Sequence, residues 1–227
     1  MLHIGFFGTE LESVFKKSHF NVESKFKNDD TSRMTRGRPR QFDENLALEA
    51  AMNVFWRKGF EGASCEELMT AMGINCGSMY ASFGDKQALY DKAFDLYCQE
   101  VFARGMEVLD GPGTPLENVR QLVQHWGDYM SQPDCKGCFV ANTVIEFGKH
   151  QQGVAALARQ VLRRMQNLLE SKLVQAVEAG ELSSTAKTSE LAAFLVNTAT
   201  GLNVMARAGA DEQSIRGVVN SALLLLR

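Results

Sequence analysis

The sequence predicts an all-α protein of about nine helices, three of them in a compact N-terminal unit and the rest in a larger domain behind it. Two observations carry this. From Phe42 onward apolar residues recur at three- and four-residue spacing, with little of the alternation a strand requires. Cap and stop residues also sit at the ends of the periodic stretches.

Asp43 is placed to cap the first helix, whose apolar stripe runs Leu46, Ala47, Ala50, Ala51, Val54, Phe55 and whose stop is Gly59. Ser64-Cys-Glu-Glu67 reads as a capping box opening a short helix, Cys65–Met72, ended by Gly73. Asn75 caps another through about Ser82, and Gly84-Asp85 starts a long helix from Lys86 to about Leu109. Two short helices joined by a tight glycine turn are the outline of a helix-turn-helix. After a Gly/Pro break at 111–115, five more helices are expected, near 115–131, 138–149, 152–179, 188–208 and 212–226. Residues 1–33 show no period and read as a disordered extension, with Met34 a candidate start.

The 227 residues are long enough for a real core, and no apolar run reaches the length of a bilayer span. A secretory leader is not expected: no basic segment precedes the apolar residues 1–8, and Glu10 and Glu12 follow at once. The five cysteines do not suggest a disulfide framework, so reduced thiols in a cytoplasm are expected. Net charge is −3, which rules out a generally sticky polycation. Nucleic-acid binding would need a local basic feature, and Arg33, Arg36, Arg38 and Arg40 supply one in the acid-free string RMTRGRPR. Such an arm can enter a narrow minor groove, or it can be a solvated linker.

From Phe55 to Tyr90, with its core GFEGASCEELMTAMGINCGSMYASFGDKQALY, the chain closely resembles the DNA-binding domain of tetracycline-repressor-type (TetR/AcrR) regulators. The landmarks are Gly59-Phe60, Ser64, the turn Gly73-Ile74-Asn75, then Ser78, Tyr80, Phe83, Lys86 and Leu89. The resemblance is sharp over 38–90 and only architectural beyond. It implies a homodimeric transcriptional regulator, not an enzyme, with the last two helices forming a four-helix dimer interface and a ligand cavity in the C-terminal domain. On that basis 34–87 is the DNA-binding domain and 88–227 the effector-binding and dimerisation domain.

The short helix from Cys76 is then the recognition helix, its small first residues Cys76, Gly77 and Ser78 facing base edges. Ser64, Tyr80 and Lys86 are expected on phosphates, Lys86 from the positive end of the long helix. With Arg36, Arg38, Arg40 and Asn75 these form the expected DNA surface; Met79 either reads a thymine methyl or packs, and Phe83 packs. Cys76 departs from the polar or basic residue more common in the family and leaves the base preference open.

On the effector side, Asp134-Cys-Lys-Gly-Cys-Phe139 is the most suggestive chemistry. A lone C-x-x-C lacks the four ligands of structural zinc, and no βαβ context supports a thioredoxin-like role. No metal or cofactor is expected. Cys138 at a helix start beside Lys136 could be an activated thiol, as in some electrophile-sensing relatives, or a small buried hydrophobe. Phe102, Trp126, Tyr129, Cys138, Phe139, Asn142, Phe147, Met165 and Leu169 are candidates to line the cavity, and Asn142 or Glu146 to orient a polar effector. Leu191, Leu195, Leu202, Ile215, Val219, Leu223 and Leu226 are the expected dimer interface. The rival readings are a thiol oxidoreductase using Cys135 and Cys138, an all-α small-molecule transferase, and a helical interaction module without DNA. The two enzyme readings have no phosphate loop, metal triad or nucleophile–base pair behind them, and the arginine arm and the order of the motif argue against the interaction module.

Overall fold

The computed structural model describes residues 42–148 and 153–227. The N-terminal extension and Arg33, Arg36, Arg38 and Arg40 lie outside the described residues. Among those described are nine helices: α1 Glu44–Gly62, α2 Cys65–Met72, α3 Cys76–Phe83, α4 Lys86–Leu109, α5 Pro115–Met130, α6 Phe139–Phe147, α7 Val154–Glu178, α8 Thr188–Arg207 and α9 Glu212–Leu224.

Local chemistry sets most of the boundaries. Asp43 accepts from the amides of Asn45 and Leu46, Asn75 from Ser78, Asp85 from Ala88 and Asp211 from Ser214. Each such cap satisfies an amide that has no partner within its helix and stabilises it by about 1 kcal/mol. Ser64 and Glu67 close a full capping box, and Thr114 and Glu117 close a second one with Pro115 in the first turn. The first helix departs from expectation. It does not stop at Gly59 but breaks there, at φ 75° and ψ −178°, and resumes for one more turn to Gly62.

α1 packs on α2 and α4, and α3 on α4, around fully buried Phe55, Leu68, Met79 and Leu89. The C-terminal core joins the end of α4 to α5, α7, α8 and α9 through Leu109, Val119, Val123, Leu169, Leu173, Leu195 and Leu202. Between the two cores lies an aromatic cluster. Tyr90 meets Phe55, Phe60, Phe139 and Phe147 edge-on or tilted, at centroid separations of 4.9–5.4 Å. Its buried hydroxyl is hydrogen-bonded to Thr143 Oγ1 at 2.8 Å. α4 runs through both cores, and short α6 packs on α1, α4 and α7.

Candidate nucleic-acid interface

The turn Gly73-Ile74-Asn75 delivers the amino end of α3 to the surface. Asn75, Cys76 and Gly77 are exposed, Ser78 is half-buried and Tyr80 is 50% exposed. Met79 and Phe83, on the opposite side of the same helix, are buried at 0% and 4%. Of its two readings Met79 therefore takes the packing one: one face of an eight-residue helix must anchor it, and Met79 lies on that face. The exposed face holds only small side chains and Tyr80, so the α3 backbone can approach a base edge closely.

Ser64 is exposed, but its hydroxyl already serves the capping box, accepting from the Glu67 amide at 3.1 Å. The Glu67 carboxylate is held below its ordinary range, first by a hydrogen bond from Lys58 and then by the Ser64 amide. Lys86, in the first turn of α4, holds its ammonium 4.6 Å from the centre of the Phe60 ring, a position that leaves it half-exposed beside the recognition helix.

The other end of the chain's chemistry meets α1. The 135–138 loop grips that helix: Trp56 Nε1 donates to the Gly137 carbonyl at 3.0 Å, and the Lys136 ammonium bonds Asn53 Oδ1 and lies 4.2 Å over the Trp56 ring. Gly137 adopts φ 75°, and a Cβ there would fall 2.0 Å from Asn203 Oδ1, so only glycine fits. Asn203, fully buried on α8, accepts from the Cys138 amide and donates to Asn142 Oδ1. At the far end of α6, the Glu146 carboxylate accepts from the amides of Phe60 and Glu61, each at 2.9 Å. Glu146 was read from the sequence as a candidate to orient an effector; here it is engaged with backbone 85 and 86 residues away.

Of the two readings of Cys138, its surroundings favour the packed thiol. Burial pushes its thiol above the ordinary value, and the amides of Ala141 and Val140 and the Tyr97 hydroxyl only partly offset this. Lys136 gives no help, since its ammonium is turned to Asn53 and Trp56. Among the other cavity candidates, Phe102, Phe139, Phe147 and Leu169 are buried, between 0% and 7% exposed. Here they serve as packing. Phe102 lies under the Arg164 guanidinium, and Phe139 and Phe147 belong to the aromatic cluster. Trp126, Tyr129 and Met165 are partly buried against the C-terminal core. Asn142 and Glu146, the two candidates to orient a polar effector, both line an open groove of about 270 Å³ between α1, α6 and α8, with Ile145, Val204 and Arg207.

The expected dimer residues are corrected too. Leu195, Leu202, Ile215, Val219, Leu223 and Leu226 lie between 0% and 9% exposed, and Leu191 packs against the same core. The bulkier apolar stripe of each helix turned inward because that core needed filling. The outward stripe is Phe194, Asn197, Gly201 and Val204 on α8, with Gly217, Ser221 and Leu224 on α9 and Leu225 at its C-cap.

Comparison with known proteins identifies this arrangement. The family described as "Bacterial regulatory proteins, tetR family" matches residues 47–93, and "Tetracyclin repressor-like, C-terminal domain" matches residues 115–222. The chain belongs to the TetR family. It is 29% identical to the uncharacterized HTH-type transcriptional regulator YezE of Bacillus subtilis (strain 168), over 84% of this chain and 99% of that protein. It is 26% identical to the HTH-type transcriptional repressor ComR of Escherichia coli (strain K12), over 84% of this chain and 92% of ComR. A cysteine-substituted form of the TetR family regulator CifR, solved in complex with 26-bp double-strand operator DNA, superposes with a TM-score of 0.72 and 29% identity. That match covers 82% of this chain and 98% of the CifR chain. Among the described residues, no TetR-family helix here is long and apolar enough to cross a membrane.

Proposed function

We propose that this TetR-family chain is a cytoplasmic transcriptional repressor that binds a pseudo-palindromic operator as a homodimer and is released by an effector in residues 88–227. The observation that carries the reading is the exposed amino end of α3: Asn75, Cys76, Gly77 and Ser78 form a low, polar edge, flanked by Tyr80 and Lys86. Residues 34–87 act as the DNA-binding domain, with Arg36, Arg38 and Arg40 as its basic arm to the duplex. The operator complex of CifR supports the same use of the fold. The dimer forms through the outward stripe of α8 and α9, which places two recognition helices about 34–36 Å apart in successive major grooves. The effector is a small molecule, and the raised pKa of the Cys138 thiol favours non-covalent uptake over attack by that residue.

Fluorescence anisotropy with duplex from the chain's own upstream region tests this. Tyr80→Ala and Lys86→Ala each remove a phosphate contact and should weaken binding to every sequence by about tenfold, about 1.4 kcal/mol. A change at Ser78 should instead alter the preference among duplexes. Tyr80→Ala binding as tightly as wild type would refute the docking.

A further inference from the structure

A helix broken at a glycine presents the amides of its next turn without intrahelical acceptors. In α1 that break is Gly59, and the amides of Phe60 and Glu61 both donate to the Glu146 carboxylate at 2.9 Å. The fit is close: a Cβ on Gly59 would lie 2.6 Å from Glu146 Oε2. The turn so capped leads directly into the Ser64 cap of α2, and Lys58, just before the break, pairs with Glu67 of that capping box. Phe60 continues the connection to the recognition side, lying 5.3 Å from Tyr90 and 5.6 Å from Phe147 and beneath the Lys86 ammonium.

α6 is thus a strut. Its first turn is tied to α8 through Asn203, and its last to the α1 break through Glu146. Arg159 of α7 also donates to the Gly148 carbonyl at the α6 carboxyl end, at 3.0 Å.

We propose that Glu146 is a positioning residue for operator binding, a role that rests on the repressor reading above. Its carboxylate sets the direction in which the chain leaves α1 and so the presentation of α2, the turn and α3. Glu146 and Glu61 are exposed and Phe60 is only half-buried, so water can replace the carboxylate on both amides. The latch therefore governs orientation far more than it governs stability.

The test uses the full chain, as wild type, Glu146→Ala and Glu146→Gln, titrated with the upstream duplex, with thermal midpoints and amide hydrogen exchange measured alongside. Glu146→Ala should weaken duplex binding about tenfold while its midpoint stays within about 2 °C, and exchange should quicken at residues 60–62 but not at 44–56. Glu146→Gln keeps one acceptor oxygen at the same reach and should recover part of the loss. Unchanged affinity in Glu146→Ala overturns the proposal. So does a loss that tracks a fallen midpoint, and so does Glu146→Gln faring no better than Ala. Tyr80→Ala is the separate control: if it binds as well as wild type, the operator reading itself has failed, and no Glu146 variant is needed to show it.

Discussion

Asp95, midway along α4, carries a cost the fold tolerates. Its Oδ1 is buried without a hydrogen-bond partner, and burial, followed by the neighbouring charge of Asp91, pushes its pKa from 3.8 up to about 6. The unfolded chain ionises Asp95 near its ordinary value, while the folded chain holds the proton longer. Stability owed to this group is therefore lost as pH rises from about 4 to about 6, and the full cost persists above that. Asp95→Asn removes the charge and keeps the shape. Discounted for the group's partial exposure, the gain at pH 7.5 should be about 1 kcal/mol, a rise of about 2–4 °C in the unfolding midpoint. At pH 4 the two proteins should melt together; a gain of equal size at both pH values would place the cost elsewhere than in the carboxylate.

Among the elements, the helix ends were legible because caps are local. Ser64, Asn75, Asp85 and Asp211 each serve an amide two or three residues on, within reach of any reading of the sequence. The partners of Glu146, Asn203 and Lys136 were not legible, since each lies more than sixty residues away in sequence. Periodicity showed α8 and α9 to be apolar around much of their girth but could not say which stripe faces inward. Leu195 and Leu202 fill the core, whereas Phe194 and Val204 remain 43% and 51% exposed. The small Gly201, Gly217 and Ser221 on that outward face allow a second copy to approach closely. Phe194→Asp and Leu225→Asp should therefore yield a folded monomer in sedimentation equilibrium, its midpoint lowered only by the loss of its partner. Leu195→Asp should fail to fold, because it buries a carboxylate in the core. Dimers that persist in both surface variants would move the interface to another face.

For the molecule as a whole, the electrostatics do not favour DNA where the fold places it. Residues 42–90 carry three basic side chains, Arg57, Lys58 and Lys86, against seven acidic ones, a net of −4. Lys58 is already paired with Glu67. A duplex approaching α3 thus meets a surface of its own sign, relieved locally by Lys86 and by the positive helix ends at α3 and α4. Arg36, Arg38 and Arg40, immediately before this segment, are what can reverse that balance. Each phosphate neutralised contributes about 0.9 to the slope of log affinity against log salt, so replacing all three arginines by alanine should flatten the slope by about 2–3. Affinity for specific and unrelated duplexes should fall together, since phosphate contacts carry no sequence information. The ratio between the two affinities, set by α3, should hold, and so should the thermal midpoint. An unchanged slope would mean that the arm is a linker and that the duplex is held entirely by the helix-turn-helix. A collapse of the ratio instead would mean that the arm itself reads bases, from the minor groove.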